Sequence, residues 1–231
     1  MIKQLNQQTL SVKILQYGYW FLVSNLFFSI GLLPASAVMM IEWNEKNLLL
    51  WVMLYVSLLP AGPAAAALFG TMGKLMREGS ISVGPDYMRA LKENGKHAMI
   101  LWGVQLLISL ILLADITLVE GMNEIFRSAL YVLLILNVII TFYLYPLLSR
   151  FDISKMEAVR IAVGLTFLRI KNTLLIMSAL AAWGICVYFF QLYAITLLLS
   201  PLFYAIMTIH KGLFAKIEEN TETQQKIQVV K

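Results

Sequence analysis

The chain has 231 residues, of which 60% are hydrophobic and 13% charged, about half the charged share of a soluble domain. That much apolar surface excludes an ordinary water-soluble fold. The formal charge of +5 is accounted for by the way membrane proteins distribute Lys and Arg, so it gives no reason to invoke nucleic acid.

A membrane span needs about 20 residues with few or no charges. Charge-free tracts run from Ile14 to Ile41, Asn47 to Gly73, His97 to Ala114, Ser128 to Ser149 and Asn172 to His210. The last holds 39 residues, which as one helix would measure about 58 Å against about 30 Å of hydrocarbon. It divides near Gln191, where Tyr188, Phe189, Phe190 and Tyr193 mark an interface. The reading is an all-α polytopic membrane protein with six spans, at about 17–40, 48–73, 98–116, 127–149, 172–190 and 193–213. These form one transmembrane domain over 1–215, followed by a polar tail at 216–231, rich in Glu, Gln, Thr and Lys and expected to fray. The first tract is too long for a signal-peptide core and reads as a retained span.

Orientation follows from the basic residues. Sixteen of the 18 fall on one side, leaving only Lys46 and Arg127 with Glu42, Glu45, Asp115, Glu120 and Glu124 on the other. Cytoplasmic segments carry that excess, so both termini are expected in the cytoplasm, which agrees with an even number of spans.

The longer cytoplasmic connections, Lys74 to Lys96 and Arg150 to Lys171, each read as an amphipathic helix at the membrane surface. In the first, Asp86 after Pro85 is the expected N-cap. In the second, Ser154 and Glu157 stand in capping-box spacing. The two units overlay with an offset of about 75 residues, Lys96 on Lys171, a weak internal repeat of the kind transport folds use. Arg89, Lys92, Asn94, Lys96, Arg150, Arg160, Arg169 and Lys171 are the candidate contacts, with membrane lipid or with a cytoplasmic partner.

The second span carries Pro60 and Pro63, which remove two backbone donors and must break or kink the helix. Gly62, Ala66 and Gly70 follow at four-residue spacing, a stripe that admits a neighbouring backbone. Within the spans Asn25, Gln105 and Asn137 form a candidate intramembrane polar site; Ser109, Thr141, Ser178 and Ser200 are further bridging groups. None of these is ionisable, which argues against a proton-coupled pump. His97, His210 and Asp115 sit at span ends. The single cysteine, Cys186, excludes an internal disulfide. H-E-x-x-H, G-x-S-x-G and phosphate-loop motifs are lacking, so no catalytic residue, metal site or cofactor is expected.

As a set, several motifs resemble the YesL-like family of bacterial membrane proteins: Gly62-Pro63 with Ala66, Ala67 and Leu68; Tyr87-x-x-Ala90-Leu91-Lys92-x-Asn94-x-Lys96; Tyr145-Pro146-Leu147 with Arg150-Phe151; and Ala158-x-Arg160-x-Ala162 leading to Thr173-Leu174. The resemblance spans about Tyr17 to Phe214. Leu91 and Gly95 depart from it where aromatic residues are expected. It implies a protein of unassigned biochemistry, often encoded beside carbohydrate importers of the ABC type. The resulting expectation is a non-enzymatic accessory protein of such an importer, touching its permease subunits, with self-association left open. The alternative is an independent transporter of a small molecule or lipid, which requires a cavity at membrane depth lined by Asn25, Gln105 or Asn137.

Overall fold

The computed structural model describes the backbone of residues 2–41, 47–118, 121, 123–151, 153–190 and 192–229, and the side chains of 11–41, 47–117, 121, 123–151, 153–190 and 197–219. Eight helices follow in order: α1 (Ile2–Val38), α2 (Leu48–Leu58), α3 (Ala61–Glu78), α4 (Val83–Leu118), α5 (Glu124–Leu148), α6 (Lys155–Leu168), α7 (Ile170–Phe190) and α8 (Leu192–Val229). The described residues contain no strand. Six stretches are long and apolar enough to cross a membrane, with α2 and α3 counting as one. The final tract does divide in two, between Phe190 and Leu192; its Gln191 and the ring of Tyr193 lie outside the described residues, as do the connection at 42–46 and the side chains of the tail from 220 on.

Helix α3 is the hub. It touches α1, α4, α5 and α8, and Ala66, Ala67, Leu68, Met72 and Leu75 on it are fully buried. Lipid tails are as apolar as leucine, so helices associate by close van der Waals contact, which small residues permit. The stripe at Gly62, Ala66 and Gly70 serves that end. A Cβ on Gly62 would run into the Trp102 side chain, and one on Gly70 would come within 2.9 Å of the Ala90 Cβ. Helix α4 therefore lies directly against α3. On the other side of the hub, a Cβ on Gly31 of α1 would meet that of Ala64 at 2.6 Å.

The connections refine two expectations. The segment 86–96 feeds directly into the next span, and without any corner: it is the first part of the 36-residue helix α4, with Tyr87 and Ala90 buried against the hub. Helix α4 also begins before Asp86, whose carboxylate reaches back to accept the Ser82 N–H at 2.9 Å instead of capping forward. The second segment behaves as expected at its start, where Ser154 Oγ accepts the Glu157 N–H at 3.3 Å, and α6 ends at Arg169 with φ −111°, ψ 55°. The two units of the proposed repeat thus share an order of elements, but one has a continuous helix where the other has a corner. The helical backbone of α8 reaches Val229, past the start of the tail expected to fray.

Replacing Gly62 by Val should lower the thermal midpoint in detergent by the equivalent of about 1–3 kcal/mol, the usual cost of overpacking, because the clash falls on the Trp102 Cβ, which is held by the α4 backbone. Gly184→Ala, at a glycine with open space around it, should leave the midpoint within about 0.5 kcal/mol.

Candidate functional site at the basic end

The break between α2 and α3 is accounted for bond by bond. Pro60 cannot donate to Val56 O, nor Pro63 to Leu59 O. Tighter bonds replace them: Leu59 N–H donates to Val56 O at 3.3 Å and Gly62 N–H to Leu59 O at 3.4 Å. That shift leaves the Leu58 carbonyl without its usual donor, Gly62, and the indole Nε1–H of Trp102 supplies one at 2.8 Å. The residue that Gly62 makes room for is the residue that repairs the break. Nearby, Tyr55 OH donates to Gly103 O at 3.2 Å and Tyr87 OH to Ala64 O at 3.1 Å.

The intramembrane polar candidates are not brought together. Asn25 Oδ1 on α1 accepts from Ser200 Oγ at 2.6 Å and Ser200 N–H at 2.8 Å, next to Pro201 inside α8. Asn137 on α5 donates to Ser109 Oγ at 2.8 Å and to the Gln105 carbonyl at 3.0 Å, tying α5 to α4. Thr141 and Ser178 bond within their own helices. None of these residues lines any of the three cavities described below.

Two of those cavities, of about 310 Å³ each, adjoin at the end of the bundle where α3 passes to α4 and α5 to α6, and both have Glu93, Asn94 and Ser149 in their walls. His97, Arg150 and Phe151 complete one; Lys74, Arg77, Asp86 and Arg89 contribute to the other. The charges are largely paired. Lys74 Nζ donates to Asp86 Oδ1 at 2.7 Å and lies 3.8 Å from Glu78, while Arg89 stands 3.7 Å from Glu93. A third cavity, of about 270 Å³, is an apolar groove between α2 and α4, walled by Trp51, Tyr55 and Ile111 among others.

Arg150 is turned inward against α8. Its side chain is 10% exposed, its Nε and Nη2 donate to the two oxygens of Glu218 at 2.8 and 2.9 Å, and its guanidinium stands 5.2 Å from the Phe214 ring centroid. It clamps α8 onto the α5–α6 turn. One turn of helix and more above, His210 is fully buried, not at a wet end as its position in the sequence implies. Its Nε2 donates to Phe142 O at 3.0 Å, which fixes the proton on that nitrogen.

The other basic candidates do face outward. Arg89, Lys92, Lys96, Arg160, Arg169 and Lys171 are exposed, and Asn94 is half-buried in the cavity wall. Arg89, Lys92 and Lys96 share one side of α4 by their spacing of three and four. Among the described residues no three His, Cys, Asp or Glu side chains gather to hold a metal ion. Sequence reasoning missed the Trp102, Arg150–Glu218 and Lys74–Asp86 contacts; the last, 12 residues apart across a turn, had a signal in the opposite charges flanking Gly79, which takes φ +71°.

The fold and this site define a multi-pass helical membrane protein with two adjoining polar cavities at the basic end of its bundle. Residues 46–116, which hold the broken span, the turn and most of α4, match the model of a family described as a protein of unknown function, DUF624. No curated protein and no solved structure matches the chain.

Substituting Asn25 and Ser200 by Ala, singly and together, should give a coupling energy of roughly 0.6 kcal/mol, the average for polar contacts between membrane helices, and no more than about 1.7 kcal/mol. Trp102→Phe should cost about 1–3 kcal/mol through the unsatisfied Leu58 carbonyl. Thermal unfolding in one detergent measures both.

Proposed function

We propose that this chain is a non-enzymatic accessory protein of the bacterial cell membrane, with both termini in the cytoplasm, that docks on a partner through the ridge Arg89, Lys92 and Lys96 at the start of α4. The observation that carries this reading is the stiffness of the ridge. Its three bases project from a helix continuous with a membrane span, its inner face is fixed by Tyr87 on Ala64 O, and its first turn is tied to α3 by Lys74–Asp86. A surface held in advance loses little freedom on binding and suits a protein partner.

The finer reading comes from the resemblance to the YesL-like family: the partner is the permease pair of a carbohydrate ABC importer. The match of residues 46–116 to the DUF624 model supports the same part of the chain as its characteristic segment, without naming a partner. An independent transporter would need polar residues turned to a path at membrane depth. Asn25 and Asn137 hold helix to helix instead, which favours the accessory reading.

A tagged full-length chain, purified gently from native membranes, should bring down permease subunits or a solute-binding protein identifiable by mass spectrometry. Reversing the ridge with R89E, K92E and K96E should reduce that recovery about tenfold or more, as charge reversal at a complementary interface does. Recovery of the chain alone, or only with copies of itself, would remove the proposal.

A further inference from the structure

The two basic segments differ in what surrounds their charges. On α4, Arg89 pairs with Glu93 and the buried face is packed on α3. On α6 and the corner that follows, the bases alternate with exposed apolar side chains: Met156 is 74% exposed, Phe167 62% and Leu168 81%. Between Ile153 and Asn172 there are four bases and the single acid Glu157; Asp152, just before, lies outside the described residues. Arg160, Arg169 and Lys171 make no ion pair among the described residues. The opposite face of α6, with Ala158, Ala162 and Thr166, is buried against α5.

The depth of this segment can be worked out from its neighbours. The charge-free part of α5 begins at Ser128, after Glu124 and Arg127, and roughly 20 residues at 1.5 Å each cover the 30 Å or so of hydrocarbon, which ends at about Leu147. The corner is fixed within about one turn of that level. Thr173 Oγ1 is 2.9 Å from Tyr143 OH and donates to the Thr166 carbonyl at 2.8 Å, and Asn172 donates to Ile209 O at 3.4 Å. Helix α7, with 21 residues from Ile170, is then itself about one hydrocarbon thickness long. Helix α6, with 14 residues, is too short to span and lies in the headgroup layer. Its exposed bases and exposed apolar side chains match the two halves of that layer, phosphate and acyl edge.

We propose that α6 and the α6–α7 corner form a binding surface for anionic phospholipid, with Arg160, Arg169 and Lys171 on the headgroup phosphates and Met156, Phe167 and Leu168 set into the acyl edge. The pairing of charge with apolar exposure selects lipid over water or a soluble partner. This inference stands apart from the docking role of α4: it uses other residues, and it holds or fails whether or not a permease is recovered.

The test uses the purified full-length chain in nanodiscs of mixed phosphatidylcholine and phosphatidylglycerol, with native mass spectrometry of the lipids retained on release. Phosphatidylglycerol should be enriched about fivefold or more over its share of the disc, the preference that one headgroup-facing cation alone can give, and the enrichment should fall as salt rises. R160Q/R169Q/K171Q should bring it to near parity, R160K/R169K should retain it, and R89Q/K92Q/K96Q should leave it unchanged. Parity in the parent chain, or enrichment that survives the R160Q/R169Q/K171Q change, would overturn the assignment, and the parent measurement decides even where a variant fails to fold. In native membranes a photo-crosslinking phenylalanine in place of Phe167 should yield no discrete protein adduct; a single adduct band would mean that another protein covers α6 and would equally overturn it.

Discussion

A carbonyl in hydrocarbon must find its donor within the protein, because no water is there to supply one. The break at Pro60 and Pro63 creates that need at Leu58, and Trp102 meets it at 2.8 Å. Much of the bundle is arranged around this one bond. The indole can reach Leu58 only if α4 lies against α3, and α4 can lie there only because position 62 has no side chain. The remaining small residues of α3 extend the same contact toward the basic end, where Gly70 faces Ala90. The double proline is thus less a hinge than the feature that fixes which helix packs on the hub. With the tighter bonds at Leu59 and Gly62, the break is closed on the protein side, and its geometry is held.

The polar residues deeper in the spans follow the same rule. Asn25 and Ser200 stand beside another proline, Pro201, and the Ser200 N–H donates to a side chain from α1. Asn137 reaches both a hydroxyl and a backbone carbonyl of α4. Asn25 and Asn137, which could have lined a path, are instead used to join two helices, while the side-chain oxygen of Gln105 is buried with no hydrogen-bond partner among the described residues. Such joins contribute modestly one at a time, but they specify which helices meet, a role that apolar contact in lipid fills poorly since lipid competes for the same surfaces.

Much of this was legible in the sequence, and the reason is physical. Spacing of charge reports directly on which segments can enter hydrocarbon, so the six spans and the division of the 39-residue tract could be read from the chain. The prolines likewise announce a broken ladder wherever they stand, and the Ser154 cap is a purely local matter. The rest was not legible, because it depends on what lies across a gap. Nothing local in Trp102 says that it will face Leu58, 44 residues earlier. Nothing in Arg150 distinguishes it from the exposed bases until Glu218, 68 residues later, is seen against it. His210 appears beside Lys211 in the sequence, yet one faces the core and the other solvent, since adjacent helical residues point about 100° apart. The continuity of α4 is a related case: a change from mixed to apolar composition at His97 marks where the environment changes, and the backbone passes through it unaltered.

The two basic segments look alike in composition, and their difference arises from how each is anchored. The α4 segment turns Tyr87 and Ala90 inward and leaves Met88 43% exposed, so its charges stand beside one apolar side chain on a stiff outer face. On α6 the inward positions are Ala158, Ala162 and Thr166, too small to use up the apolar content of the helix, and the larger side chains Met156 and Phe167 are left outside. An exposed base beside an exposed large apolar group is unfavourable in water and favourable at the edge of a bilayer, where each finds its own medium within a few ångströms. Small residues on the inner face therefore decide what the outer face can touch. The same choice of residue size that lets α4 approach the hub at Gly62 leaves α6 with apolar side chains free to meet the membrane.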